Sequence, residues 1–165
     1  MKNIIEYNRH RATEYALAYA HKRNKAFYDF SELGGNCTNF VSQCLLAGGM
    51  IQNYDYPFGW FYKNINNRSP SFSGVEYLYN FLTRIDFTRG PFAKVVNIQD
   101  TQLGDIIQFK QTEPKFTHSL IITKLNANDP TNPYVTTNSY DVENKPLNAY
   151  WFTQARALNI VGSRP

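Results

Sequence analysis

Apolar positions along this chain recur first at helical spacing and then at strand spacing. Over residues 4–24, Ala12, Tyr15, Ala16, Tyr19 and Ala20 fall three or four apart, which predicts an amphipathic helix with a small-and-aromatic face. Asn3, followed three residues later by Glu6, has the form of a capping box at its start. A second helix is predicted over 37–47, burying Phe40, Val41, Cys44 and Leu45 and stopping at Gly48-Gly49. Ser73 with Glu76 opens a third, through Val75, Leu78, Phe81 and Leu82. From Gly104 onward the pattern turns to strands over 105–109, 117–124 and 134–140, with a fourth around 159–161. Pro114, Asp129-Pro130 and Pro133 punctuate the connections. Helices first and strands afterwards predict an α+β fold, with N-terminal helices packed on an antiparallel sheet. A length of 165 residues suits one domain, 1–165, with no internal repeat.

Residues 50–72 show no clear period, yet they hold Tyr54, Tyr56, Phe58, Trp60, Phe61 and Tyr62 among proline, glycine and asparagine. That reads as a long loop, and long loops in compact domains are commonly functional. Its rings either face a substrate, with Trp60 the candidate binding residue, or roof the core.

Composition narrows the function. Hydrophobic residues make up 42% of the chain and aromatics 16%, which marks a folded globular protein. The 17 basic residues against 13 acidic ones are scattered, so nothing resembles a nucleic-acid-binding stripe. The mild positive charge suits an anionic wall or lipid surface. Cys37 and Cys44 are seven positions apart on one predicted helix. Their Cα atoms would lie roughly 10 Å apart at about 1.5 Å rise per residue, beyond the about 7 Å reach of a disulfide. Both are expected to be free thiols. No Cys-x-x-Cys or His-x-x-x-His pair occurs, so no metal and no cofactor are expected. No run approaches the ~20 apolar residues of a membrane span. Residues 1–6 lack the apolar run of a signal peptide. The chain is therefore expected to be cytosolic, released by lysis, or a part of a longer secreted precursor.

The candidate chemistry centres on Gly34-Gly35-Asn36-Cys37-Thr38-Asn39-Phe40-Val41-Ser42-Gln43, where a glycine turn runs into the second helix. Asn36 is a good N-cap type, which puts Cys37 at the first helical position. Free N–H groups and the positive dipole end there favour a thiolate, the nucleophilic form of cysteine, and can hold an oxyanion. A small buried residue at a helix start is the alternative reading. A nucleophilic cysteine needs a base and a group to orient it. Of three histidines, His10 and His21 lie on a polar helix face. His118 opens a strand on which Phe116, His118, Leu120 and Ile122 share a face expected to look toward a packed helix. For the orienting group the next strand offers Asn138, Ser139 and Asp141, with Asn138 preferred.

The cysteine segment, together with Ala47-Gly48-Gly49, Tyr7-Asn8-Arg9 and Gly104-Asp105-Ile106-Ile107 followed by His118, resembles the bacterial family known as "putative amidase domain". The resemblance covers nearly the whole chain and implies a papain-like fold, related to NlpC-type cell-wall cysteine hydrolases. It implies Cys37 as nucleophile, His118 as base and a polar orienter matching Asn138 in register. Three departures stand out. Asn36 replaces the usual Asp before the cysteine, and Asn138 stands where the family often has His; a Trp is also common where Phe72 sits. The implied reaction is hydrolysis of a peptide or amide bond of bacterial peptidoglycan through a Cys-His-Asn triad. Asn36 or Ser31 would assist the Cys37 N–H in holding the oxyanion. A protein-modifying deamidase or acyl-transferring toxin of the same fold, or a non-catalytic wall-binding module, are the competing readings.

Overall fold

The structure is a computed structural model that describes residues 3–165. Met1 and Lys2, at the head of the segment read for a signal peptide, lie outside the described residues. Helix α1 spans Arg9–Tyr19, shorter at both ends than the periodicity predicts. Asn8 caps it, its Oδ1 accepting from the Arg11 N–H at 3.0 Å, in place of Asn3. The residues before the cap are claimed by the sheet: Ile5 and Ser163 exchange two backbone hydrogen bonds of 2.8 and 2.9 Å. Buried Ala12 and Ala16 let α1 lie close against helix α2, Cys37–Ala47. Helix α2 has the predicted ends, and Phe40, Val41, Cys44 and Leu45 are fully buried. Thr38, Asn39, Ser42 and Gln43 are buried too, so α2 is enclosed on all sides at the centre of the molecule. Gly48 follows because the Tyr7 ring occupies the space a Cβ would need.

The segment expected to be one long loop contains a small hairpin, β1 Tyr62–Asn64 and β2 Asn67–Arg68, and the short helix α3 Pro70–Ser73. Its rings divide between the surface and the core. Tyr54, Tyr56 and Phe58 are exposed, whereas Trp60 and Phe61 are buried. Trp60 packs 5.3 Å from the Phe72 ring and donates its Nε1–H to Ser42 Oγ at 3.1 Å. The candidate substrate-binding role of Trp60 is thus corrected: a large ring with one polar atom is most stable where both are satisfied, here in the core. Helix α4, Val75–Leu82, turns Leu78, Phe81 and Leu82 inward.

The sheet has six antiparallel strands: β3 Gly90–Val96, β4 Ile106–Lys110, β5 His118–Lys124, β6 Tyr134–Thr137, β7 Val142–Pro146 and β8 Gln154–Arg164, in the order β3-β8-β4-β5-β6-β7. The mixed α+β architecture with helices ahead of an antiparallel sheet is as expected. Strands β3 and β7 were not predicted, and β8 is far longer than 159–161. β7 is polar and edge-placed, with Asn144 at φ +46°, so alternation leaves no trace in it. The sheet is buried on both faces. Ile106, Ile121, Leu158 and Ile160 pack toward α2, while Ile107, Phe109, Leu120, Ile122 and Val135 form a second cluster on the opposite side. The face carrying His118, Leu120 and Ile122, expected to look toward a packed helix, therefore looks away from α2, and Ser119 and Ile121 meet the helix instead.

One buried ion pair ties the N-terminal segment to the sheet. Asp105, fully buried, accepts from Arg9 Nη1 at 2.6 Å, the Gln102 N–H at 2.8 Å, Asn159 Nδ2 at 2.8 Å and the Ile160 N–H at 3.0 Å. Four donors around one carboxylate offset the cost of taking it out of water.

Candidate active site

Gly34 and Gly35, at φ +94° and +105°, turn the chain sharply into α2, a conformation open to glycine and costly for other residues. Asn36 does not cap the helix with its side chain. Its Oδ1 accepts from the Phe30 N–H at 3.1 Å and Asn39 Nδ2 at 2.9 Å, and its Nδ2 donates to Asn138 Oδ1 at 3.0 Å. With its amide fully engaged and 1% of its surface exposed, Asn36 shapes the turn and is not free to touch a substrate. The expected substrate-binding role for Asn36 is corrected accordingly. Turned inward, it leaves the first amides of α2 without a side-chain cap, beside Cys37.

The Cys37 Sγ lies 3.9 Å from the Thr117 carbonyl oxygen and 3.8 Å from Thr38 Oγ1. Thr38 Oγ1 in turn meets Ser119 Oγ at 2.9 Å, which pins the start of α2 to β5. His118 opens β5, paired with Phe109 on β4, and the two rings stack with centroids 4.7 Å apart. The imidazole is half-buried. Burial pushes its pKa below the ordinary histidine value, while the Glu113 carboxylate pulls the other way. Glu113 sits in the β4–β5 connection, where its carboxylate accepts from the Gln111 N–H at 2.9 Å and Thr117 Oγ1 at 3.3 Å. These neighbours, the backbone N–H groups first, hold the Glu113 carboxyl below its usual range.

Cys37 and His118 together line two adjoining cavities of about 350 and 270 Å³. The first is walled by Arg23, Ser31, Gly34, Gly35 and Asp141, the second by Phe109, Leu120, Thr137 and Tyr150; Ser139 and Tyr140 border both. A larger cavity of about 650 Å³, between Tyr7, Arg9 and Ile160, holds neither cysteine nor histidine. Asn138 is buried and its Oδ1 is bound to Asn36, with no hydrogen bond to His118. Its place is behind the turn that presents Cys37. Asp141 pairs with Arg23 Nη1 at 2.8 Å, and Arg23 Nη2 also donates to the Asn138 carbonyl at 2.7 Å. Ser31 Oγ donates to Asp29 Oδ1 at 2.5 Å. His10 and His21 are exposed and face Glu14 and Glu143. Arg23, Glu113 and Tyr150 are residues of the site that sequence reasoning passed over, because nothing in their local pattern marks them. Among the described residues no cluster of three or more His, Cys, Asp or Glu side chains could hold a metal, and no helix is long and apolar enough to cross a membrane.

The family described as "Putative amidase domain" matches residues 6–161, from the segment before α1 to the last strand. The chain belongs to that family. The match takes in Cys37, His118 and the Arg9–Asp105 ion pair. The chain is similar to "Uncharacterized protein YhbB" of Bacillus subtilis (strain 168), 32% identical over 144 residues. That alignment covers 83% of this chain and 43% of the relative, so the chain spans less than half the length of the curated protein it matches. No solved structure matches it. Membership of an amidase-domain family points to amide hydrolysis.

Proposed function

We propose that this chain is a cysteine-dependent amide hydrolase with papain-like chemistry, whose substrate is a peptide or amide bond of bacterial peptidoglycan. The observation that carries the reading is that a cysteine at an uncapped helix start and a half-buried histidine line the same two cavities. His118 takes the Cys37 proton and the sulfur attacks the amide carbonyl, forming a C–S bond as the carbonyl electron pair moves to oxygen. The Cys37 backbone N–H, at the positive end of α2, is the donor for that oxyanion. The tetrahedral intermediate collapses as His118 returns the proton to the leaving amine, and the C–N bond breaks. Water, deprotonated by His118, then attacks the thioester and frees the carboxylic acid and the Cys37 thiol. A depressed His118 pKa supports this role, because the imidazole is then neutral and able to accept a proton near pH 7.

Asn138 acts one step back from the reaction, holding Asn36 and thereby the turn that presents Cys37. The charge that acts on His118 is Glu113, which favours the imidazolium formed after proton transfer. Mild net positive charge and the exposed rings of Tyr54, Tyr56 and Phe58 suit engagement of an anionic, sugar-bearing wall.

The test is digestion of purified peptidoglycan with the parent protein and with Cys37→Ala and His118→Ala. New amino groups are expected from the parent, and a loss on the order of 10³-fold or more in each variant, with folding retained. Unchanged release by Cys37→Ala would sink the scheme. Ammonia from protein glutamine, with no wall product, would move the substrate to proteins while keeping the same chemistry.

A further inference from the structure

Two cavities away from the cleft, of about 310 and 510 Å³, share Pro70 as a wall. The first lies beside the β1–β2 hairpin and the second beside helix α4, so together they make one groove. Each is of a size that holds ligands. Neither is lined by Cys37 or His118, and no step of the hydrolysis uses their residues.

Three rings on these walls stand in water. Tyr56 is 73% exposed, Phe58 88% and Tyr77 62%. Single exposed rings are ordinary on a monomer, but several along one groove mark a binding surface. The Tyr77 ring is set in place, since a Cβ at Gly74, the N-cap of α4, would come within 2.8 Å of it. The same walls carry neutral amides: Asn66 and Asn67 of the hairpin in the first cavity, Asn80 of α4 in the second. All three are exposed, and their side chains make no hydrogen bond among the described residues.

Charge narrows the ligand further. Arg84 and Asp86 face each other at 3.4 Å and cancel, and the Arg84 guanidinium also donates to the Phe81 and Pro91 carbonyls at 2.7 Å each. Arg68 is the one cation of the wall without an acid beside it among the described residues; its Nη1 donates to Ser73 Oγ at 2.8 Å and its guanidinium lies 4.5 Å from the Phe30 centroid. A polyanion finds a single free cation here, and a polycation finds no free acid. A neutral chain matches this wall.

We propose that the groove binds a glycan strand, its sugar rings lying on Tyr56, Phe58 and Tyr77 and its hydroxyl and acetamido groups bonded to Asn66, Asn67 and Asn80. A pyranose has C–H faces, which the negative faces of aromatic rings attract, and polar edges that need donors and acceptors. An amide supplies both. A lipid tail or an apolar protein segment would cover the rings but leave the amides without partners. The inference deepens the wall-directed reading above and rests on it for the source of the glycan. Helix α4 joins groove and cleft: Glu76, next to Tyr77, accepts from the Phe116 N–H at 3.1 Å, two residues before His118. A strand held in the groove keeps the enzyme on the wall between one cleavage and the next.

The test is calorimetric titration of the protein with a β-1,4-linked N-acetylglucosamine hexamer, which carries no peptide, so that turnover plays no part. Saturable binding is expected. Phe58→Ala and Tyr77→Ala should each weaken it about tenfold, the loss of an anchoring ring, and Asn80→Ala about fivefold, the scale of one neutral hydrogen bond. All three side chains are exposed, so their truncation leaves the fold standing, and an unalkylated Cys44 reports an intact core in each variant. No binding by the parent, or binding by the variants as tight as the parent's, would overturn the inference. So would association with phosphatidylglycerol vesicles, or a dimer in solution, that Phe58→Ala abolishes while the hexamer stays unbound; the surface would then belong to a membrane or to a second copy of the chain. Hexamer binding by a protein that releases no amino groups from the wall would keep the groove and remove only the hydrolase reading.

Discussion

The proton chemistry of the site is set by a few contacts of His118. Phe109 covers one face of the ring, burial disfavours its charge, and Glu113 partly restores it. Cys37, Arg23 and Asp141 are the other charged or titratable groups walling the same cavity, together with Tyr140. Because the folded-state pKa lies below the unfolded value of about 6.5, the unfolded chain binds the proton first as pH falls. The stability associated with a neutral His118 is therefore fully present above about pH 6.5 and lost as pH drops through the folded pKa. Glu113→Gln removes the opposing charge, so the His118 pKa should fall further and the acid limb of kcat/KM should move to lower pH. A proton NMR titration of the imidazole gives a second reading of the same shift. A rise in that pKa, or an acid limb that stays put, would remove Glu113 from the account. At this scale the sequence made legible only that Cys37 starts a helix and His118 starts a strand, because each kind of start has a local signature. Glu113 was hidden: its position beside His118 depends on the β4–β5 connection folding back, which no periodicity records.

Elements bring these residues together through two contacts of the turn before α2. Thr38 with Ser119 fastens the helix to β5, and Asn36 with Asn138 fastens it to the end of β6. Asn36→Ala would leave the Phe30 N–H and the Asn39 and Asn138 amides without their partner in a buried place. A loss of about 2–4 kcal/mol is expected. For a chain of this size it should appear as a melting temperature lower by roughly 5–15 °C. Cys37 alkylation should slow alongside. Asn36→Asp keeps both acceptor contacts and gains a third once the Asn138 amide turns its Nδ2 toward the new carboxylate, so it should keep most of the stability. Similar losses in both variants would mean that the Asn138 amide does not flip and that its contact, rather than the acceptor pair, holds the turn. Helix α2 was readable to the residue because glycines flank an uninterrupted apolar pattern. Helix α1 was overextended, since small and aromatic residues continue at helical spacing where Ile5 and Ser163 pair instead. The hairpin at 62–68 and strand β7 were missed because their polar side chains follow turn chemistry rather than alternation.

Across the molecule, the fold is a sheet buried on both faces with α2 enclosed against one of them. The sequence announced helices before strands, and with that the α+β class, but not which strand face meets the helix. Alternation fixes that Leu120 and Ile122 share a side, yet both sides of β5 are apolar, so it could not say which one α2 covers. A segment without period left Trp60 either facing a substrate or roofing the core, and the indole fills space between α2 and α3 and satisfies its N–H on Ser42. Tertiary packing decided both cases, through groups far apart in the chain.

The enclosure of α2 also makes the chain a clock for its own opening. The helix carries two thiols in unequal shelter, Cys37 at the cleft with 8% exposure and Cys44 with none, and burial pushes the Cys44 pKa well up. A reagent that has saturated Cys37 can add a second mass increment only when α2 lifts from the sheet and Cys44 ionises. The rate of that second increment, followed against urea, separates local fraying from global unfolding by its slope. A slope as steep as that of full unfolding is expected, since α2 is buried on every side and has no cheaper way to expose its far thiol. A shallow slope would reveal a looser helix, one able to move during the catalytic cycle without the rest of the molecule.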